Sequence, residues 1–345
     1  MVLTSVQSPP AISDDEDILN ALSAIDQRGA WLITVAATWG SSPRPVGCLL
    51  SIDADGRETG SVSGGCVEAD LVERCSKGEF DCDRPSLVSY GVDAADANRF
   101  GLPCGGRLDL IVERVESAQP WQRLSELISA RGAVLRRLCL DTAEVSLHPN
   151  PASGGPEFVY TQHRVERLFG PRWQLIIIGA VHIAKHLVPI AQSLGYRVVV
   201  CDPRSERLQE FAIADVQTGA EADVARPVAD VEAAIELDSR MPDDCVRALA
   251  DDPRSAVVAL THDPKLDDMA LMQALTSRAF YVGALGSRRS QQARRARLAQ
   301  LGLSAHDIRR LHGPVGLDLG GKTPAEIAVS IAAELIACRY HPKPS

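Results

Sequence analysis

Gln174-Leu175-Ile176-Ile177-Ile178-Gly179-Ala180-Val181-His182-Ile183-Ala184 is the stretch whose reading decides the fold. A short apolar run enters a glycine turn and leaves as an amphipathic segment, which predicts a buried parallel strand, a tight turn and a helix opened by His182. Against the dinucleotide pattern G-x-G-x-x-G, Gly179 keeps the first glycine, Val181 replaces the second and Ala184 takes the third. The second glycine normally lets the backbone approach a pyrophosphate, so a β-branched Val181 disfavours a nucleotide in the usual pose. Asp202 ends the next apolar run, where an acidic residue normally holds ribose hydroxyls.

Downstream the alternation repeats. Arg197 to Cys201, Ala256 to Leu260 and Phe280 to Val282 are short apolar runs. Helical segments separate them: His182 to Gln192, Ser205 to Phe211, Lys265 to Ser277, Ser287 to Leu301, and Pro324 to Cys338 with Thr323 as N-cap. This predicts a Rossmann-like, doubly wound parallel-sheet domain over residues 172–345. Upstream the pattern is α+β. Ser13 and Glu16 suit a capping box for a helix to Gln27. Strands are expected at Trp31 to Ala37, Gly47 to Asp53, Glu58 to Val62, Leu87 to Tyr90, Leu108 to Val112 and Val134 to Cys139, with helices at Val67 to Lys77 and Trp121 to Ser129. Pro149 to Pro156 breaks every period and sets the domain boundary between there and Pro171. The N-terminal domain is therefore expected over residues 1–168.

The chain has 345 residues and a net charge of −9, which argues against a phosphate-backbone binder and so against nucleic acid as a partner. No apolar run is long enough to span a bilayer, and Met1 to Pro10 does not read as a signal peptide, so a cytoplasmic protein away from membranes is expected. Nine cysteines without paired spacing read as free thiols, and none has the spacing of a structural zinc site.

Motifs beyond the turn are more specific. They run Gly40-Ser41-Ser42-Pro43-Arg44-Pro45-Val46-Gly47, Gly60-Ser61-Val62-Ser63-Gly64-Gly65-Cys66-Val67-Glu68, Gly101-Leu102-Pro103-Cys104-Gly105-Gly106 and Thr261-His262-Asp263-Pro264-Lys265-Leu266-Asp267. Tyr281 to Arg289 and Gly313 to Asp318 continue the series. In this order they resemble the XdhC/CoxI family of accessory proteins for xanthine dehydrogenase and related molybdenum hydroxylases, over roughly Gly29 to Arg339. Val181-His182 stands where that family usually has glycine-histidine.

The resemblance implies a molybdenum-cofactor chaperone rather than an enzyme. Such a protein binds molybdopterin or its cytosine dinucleotide form, holds it during sulfuration and inserts it into the large subunit of the apo-molybdoenzyme. The other implied partners are a cysteine desulfurase or sulfurtransferase and a second copy of the chain. Cys66 and Cys104 are the candidate metal ligands, since a soft thiolate suits molybdenum, and each sits beside a glycine pair (Gly64-Gly65, Gly105-Gly106) whose N–H groups are expected to face an anion. Cys66 also precedes a helix, which lowers a thiol pKa. Arg44 between two prolines is a candidate for phosphate or pterin, and Glu68 for a hydrogen bond to the pterin ring. In the second domain His182, His262, Gly286 and Ser287 are expected around one crevice beyond the strand ends, with Gly179 as the turn glycine and Asp202 at the ribose position as further cofactor-binding candidates. Arg288, Arg289, Arg294, Arg295 and Arg297 make a basic run that suits an acidic partner. The competing reading is an NAD(P)-dependent oxidoreductase with Asp202 on the ribose and His262 as acid or base, although Val181 makes NAD(P) the less favoured ligand.

Overall fold

The computed structural model describes residues 2–6, 14–40, 44–65, 67–80, 83–91, 106–149, 156–218 and 235–340. It divides into two compact units, Met1–Pro171 and Arg172–Ser345.

The first unit is α+β. Its elements are β1 (Val2–Val6), α1 (Asp14–Ser23), β2 (Ala30–Trp39), β3 (Leu49–Asp53), β4 (Glu58–Gly60), α2 (Glu68–Ser76), β5 (Ser86–Tyr90) and β6 (Arg107–Val115). They continue with α3 (Gln119–Ser129), β7 (Val134–Cys139), β8 (Val145–Pro149), β9 (Phe158–Thr161) and β10 (Arg164–Phe169). Two antiparallel five-stranded sheets result, in the orders β4-β3-β2-β6-β5 and β1-β9-β10-β7-β8. β2 reads as a continuous apolar run because both its faces are covered. Trp31, Ile33 and Val35 pack with Val67 and Leu71 around α2. On the other face Ala30 and Leu32 join α1 and α3, and Ala36 joins Phe158 and Tyr160 of the second sheet.

The second sheet differs from expectation. β8, β9 and β10 occupy the stretch read as the end of the domain, and β1 was not expected. The alternation of β10 is hidden by Arg164, Glu166 and Arg167, which are paired: Arg137 Nε lies 2.7 Å from Glu166 and Arg167 Nη2 lies 2.7 Å from Asp15. Ser13 of the expected capping box lies outside the described residues.

In the second unit β11 (Gln174–Ile178), α4 (His182–Ser193), β12 (Arg197–Cys201), α5 (Ser205–Thr218), β13 (Glu236–Asp238), α6 (Pro242–Leu249) and β14 (Ser255–Ala259) come first. α7 (Pro264–Thr276), β15 (Tyr281–Ala284), α8 (Arg288–Gln300), α9 (Ala305–Arg309), β16 (Leu311–His312) and α10 (Pro324–Tyr340) follow. All six strands are parallel, in the order β13-β12-β11-β14-β15-β16. That is the Rossmann order 3-2-1-4-5-6, with its switch point between β11 and β14. Ile176 and Ile178 face α6 and α7, while Leu175 and Ile177, equally buried, face the side where α4 packs on α10. β13, α6, α9 and β16 were not expected, each being too short to show a period.

Candidate functional site

Strand register in the first unit brings the glycine motifs to one end of one sheet. Trp39 at the end of β2 pairs with Arg107 at the start of β6, and Tyr90 at the end of β5 pairs with Leu108. Leu49 at the start of β3 pairs with Thr34, and Gly60 at the end of β4 pairs with Leu50. The connections 40–48, 61–67 and 91–106 therefore leave from the same edge of the sheet. Tyr90 OH, 2.7 Å from Asp70, ties the end of β5 to the first turn of α2. Burial and the bond to Asp70 hold the Tyr90 hydroxyl well above the ordinary phenol range.

Glu68 organises the middle connection. One carboxylate oxygen accepts from Ser61 Oγ (2.7 Å), Val62 N (3.1 Å) and Ser63 N (2.9 Å). The other accepts from Ser63 Oγ, Gly65 N (3.0 Å) and Val67 N (3.1 Å). Burial raises its pKa, but the serine hydroxyls and backbone N–H groups outweigh that and hold it down to about 2. Six donors saturate the group, so Glu68 faces inward and has no lone pair to offer a pterin.

The same bonds settle where the glycine N–H groups point. Gly65 N donates to Glu68, and Gly64 N donates to Ser61 Oγ at 2.9 Å, so these two do not present N–H groups to an anion. Both glycines have positive φ (78° and 108°) and are exposed, and a Cβ on Gly65 would meet nothing within 4 Å. The turn offers an uncovered backbone that a ligand can approach closely.

Arginines brace the neighbouring connections. Arg44 Nε donates to the Ser61 carbonyl at 3.1 Å, locking connection 40–48 to connection 61–67. Arg167, buried on β10, donates from Nε to the Gly47 carbonyl at 2.8 Å while its Nη2 is held by Asp15. At the strand ends Trp39 is 51% exposed, with the Arg107 guanidinium 5.1 Å from its ring. Asp109 fixes Arg107 at 2.9 Å and is itself fixed by Ser89 Oγ at 2.6 Å. An exposed indole beside an anchored guanidinium is a platform for a planar, anionic ligand. It escaped the sequence reading because nothing in the spacing of Trp39 and Arg107 shows that they are neighbours. Cys66, Cys104 and Gly105 lie outside the described residues; Gly106 is buried at the start of β6.

In the second unit a cavity of about 370 Å³ opens at the switch point, lined by Val181, Arg204, Arg207, His262, Asp263 and Pro264. His262 faces it; His182 and Gly286, expected there, do not line it. His182 is exposed in the first turn of α4. Asp202 is wholly buried, and both its oxygens are taken by Arg204 (2.7 and 2.8 Å) and by Ala180 N (3.1 Å). It therefore fixes the turn instead of offering itself to a ribose. Burial acts against its ionised form, yet these bonds keep its carboxyl below the usual range.

Gly179 has φ 110°, and a Cβ there would sit 2.8 Å from Thr261 Cγ2, so the turn packs directly on the end of β14. Ser287 is the N-cap of α8, accepting from Ser290 N at 3.2 Å, and Gly286 at φ 141° leaves room for Ser290 Oγ. The basic run is largely internal. Arg294 reaches Asp267 at 2.8 Å, Arg297 reaches Asp268 at 2.8 Å, and Arg295 binds the Ile308 and Leu311 carbonyls. Arg288 and Arg289 alone of the five remain exposed. Burial pushes Asp267 up to about 6 against the pull of Thr261 and Arg294.

The profile described as the XdhC Rossmann domain matches residues 175–335, and that of the XdhC and CoxI family matches residues 25–91. A molybdenum cofactor insertion chaperone, PaoD, of Escherichia coli (strain K12) is 27% identical over 320 residues, covering 91% of this chain and 85% of that protein. A Bacillus subtilis (strain 168) protein described as a probable xanthine dehydrogenase subunit is 25% identical over 337 residues, covering 91% of this chain and 94% of that protein. The crystal structure of a protein described as a xanthine dehydrogenase from Bacillus halodurans superposes with a TM-score of 0.70 at 25% identity, covering 96% of this chain and 97% of that one. With one profile on each unit and relatives that span both, the chain belongs to the XdhC and CoxI family.

Proposed function

We propose that this chain is a chaperone that holds the molybdenum cofactor at the loop end of the first unit's β4-β3-β2-β6-β5 sheet and delivers it to a molybdoenzyme. The observation that carries this reading is that the strand ends bounding 40–48, 61–67 and 91–106 lie together at that edge, with Glu68, Arg44 and Arg167 bracing described residues of the first two. The E. coli relative named as an insertion chaperone and the B. subtilis relative named for xanthine dehydrogenase support the cofactor and the class of client.

The residues present fit the group. Trp39 with Arg107 suits the planar pterin, and Gly64-Gly65 admits close approach of a ligand without a Cβ in the way. When bound, the cofactor supplies a molybdenum centre held by a dithiolene, for which Cys66 and Cys104 would be the soft protein ligands. The chain's own part is to hold, orient and shelter. No acid–base pair is needed for that, and a non-catalytic role follows. Installation of the terminal sulfido ligand falls to a cysteine desulfurase or sulfurtransferase that meets the loaded chain, and the client is the apo large subunit of a xanthine dehydrogenase or aldehyde oxidase type enzyme.

The test is the molybdenum content of protein purified from a cofactor-producing host. Substoichiometric molybdenum that disappears in a Cys66→Ala, Cys104→Ala double variant is the expected result; metal retained unchanged in that variant sinks the proposed site. Release of CMP on mild acid treatment identifies the cytosine dinucleotide form. NAD(P) is disfavoured by the engagement of both Asp202 oxygens with Arg204 and Ala180.

A further inference from the structure

Outside the cavity at the switch point, three side chains from three elements meet in the second unit. They are Cys201 at the end of β12, Asp238 at the end of β13 and Cys245 in α6. One donor atom of each lies within 4.8 Å of the others, and all three residues are buried. We propose that Cys201, Asp238 and Cys245 bind a divalent metal ion of zinc type, as a structural site behind the glycine turn.

The donor set is the first reason. Two thiolates and a carboxylate select a borderline-soft ion that accepts four-coordination, and zinc is the common case. The spacing is the second. Thiolates at a Zn–S length of about 2.3 Å in a tetrahedral arrangement stand about 3.8 Å apart, inside the span observed. The Arg240 carbonyl, 3.5 Å from Cys201 Sγ, supplies an oxygen for the remaining position.

Charge is the third reason. A divalent ion with two thiolates and one carboxylate carries one net negative charge, and the Arg240 guanidinium already lies on Asp238 at 2.9 and 3.0 Å. The loaded cluster is neutral as a whole, which is what burial requires. The Arg240 side chain is 46% exposed, so the ion has an entry path past it.

The placement gives the ion its role. Cys201 O accepts from Gly179 N at 2.8 Å, and Asp202 N donates to Asp238 O at 3.0 Å. An ion here would tie β12, β13 and α6 directly beneath the turn that Asp202 and Gly179 shape. None of the three side chains lines the cavity at the switch point, which marks the ion as structural.

The experiment uses the full chain stripped by chelator and titrated with cobalt(II), then with zinc. One equivalent of cobalt should give the thiolate-to-metal absorption of the near ultraviolet and tetrahedral visible bands, both displaced by zinc. Cys201→Ala and Cys245→Ala should each abolish them, and Cys48→Ala, a buried thiol of the first unit, should not. A measurement free of variants is alkylation of the wild-type chain in mild denaturant, mapped by mass spectrometry. Zinc should slow modification at Cys201 and Cys245 by about tenfold. Absence of stoichiometric binding, thiolate bands unchanged in both variants, equal alkylation with and without zinc, or a Cys201–Cys245 disulfide in the purified chain would each overturn the proposal. Failure here leaves the molybdenum reading intact, because that one is read as molybdenum at Cys66 and Cys104.

Discussion

Replacing Glu68 by glutamine keeps the shape of the side chain and removes its charge, and the geometry fixes what must follow. If the new amide nitrogen takes one side, Val62 N and Ser63 N lose their acceptor; if it takes the other, Gly65 N loses its acceptor and Val67 N is left with Ser63 Oγ at 2.9 Å. The gap between the ordinary 4.5 and about 2 corresponds to about 3 kcal/mol of folding free energy carried by the ionised form. The residue is only 5% exposed, so solvent screening does not erase this. Glu68→Gln should therefore destabilise the first unit by about 3 kcal/mol at neutral pH. Urea unfolding followed by tryptophan fluorescence reads it, since Trp31, Trp39 and Trp121 lie in that unit and only Trp173 in the other. The sign of the pH dependence is also set. A carboxylate whose folded pKa is depressed contributes fully above its unfolded value and loses that contribution as pH falls through the folded one. Wild-type stability should thus decline between about pH 4.5 and pH 2 by an amount the variant does not lose. A variant as stable as the wild type to within about 0.5 kcal/mol at neutral pH would refute the account of Glu68 as the hub of its loop.

Other predictions follow from the same geometry. Asp267→Ala leaves the buried Arg294 guanidinium without its 2.8 Å partner and should cost about 3–5 kcal/mol in the thermal unfolding of the second unit; unchanged unfolding would count against a buried ion pair there. Gly179→Ala forces a side chain into a φ of 110° and against Thr261, so hydrogen exchange along β11 and β14 should accelerate as about 2 kcal/mol is lost. Trp39→Ala should leave the unfolding transition in place, being half exposed, while molybdenum retained after dialysis falls about fivefold; full retention removes Trp39 from the site. Titration with NADH should show no micromolar binding, and Val181→Gly alone should not create it, because Asp202 stays engaged by Arg204; binding by either protein would reopen the dehydrogenase reading.

The second unit was more legible in its sequence than the first. Strands buried on both faces, such as Leu175 to Ile178, announce themselves as apolar runs, and the turn at Gly179 fixes what comes between them. β10 was not legible because Arg164, Glu166 and Arg167 read as surface until their partners on β7 and α1 are known. The glycine motifs of the first unit fall in connections that open at one end of one sheet, but their spacing does not show the direction of their polar groups. Glu68 looked like a ligand group in sequence and proved to be the anchor of its own loop. Asp202 followed the same course, since its position matched a ribose acceptor while Arg204, two residues on, had already claimed it. Cys201, Asp238 and Cys245 are brought together only by strand order, and no local spacing encodes that.

Arg167 reaches back across 152 residues to Asp15 and across 120 to the Gly47 carbonyl. Contacts of such separation are closed late, after the intervening chain has been ordered. During synthesis the Gly47 connection therefore lacks its tie to β10 until almost the whole first unit has left the ribosome, and is held before that by Arg44 and its own backbone bonds. An unfinished chain would keep the local bonds of Glu68 and Arg44 but lack the link from Gly47 to the second sheet. One arginine near the end of the unit thus makes the full bracing of this connection depend on completion of the second sheet.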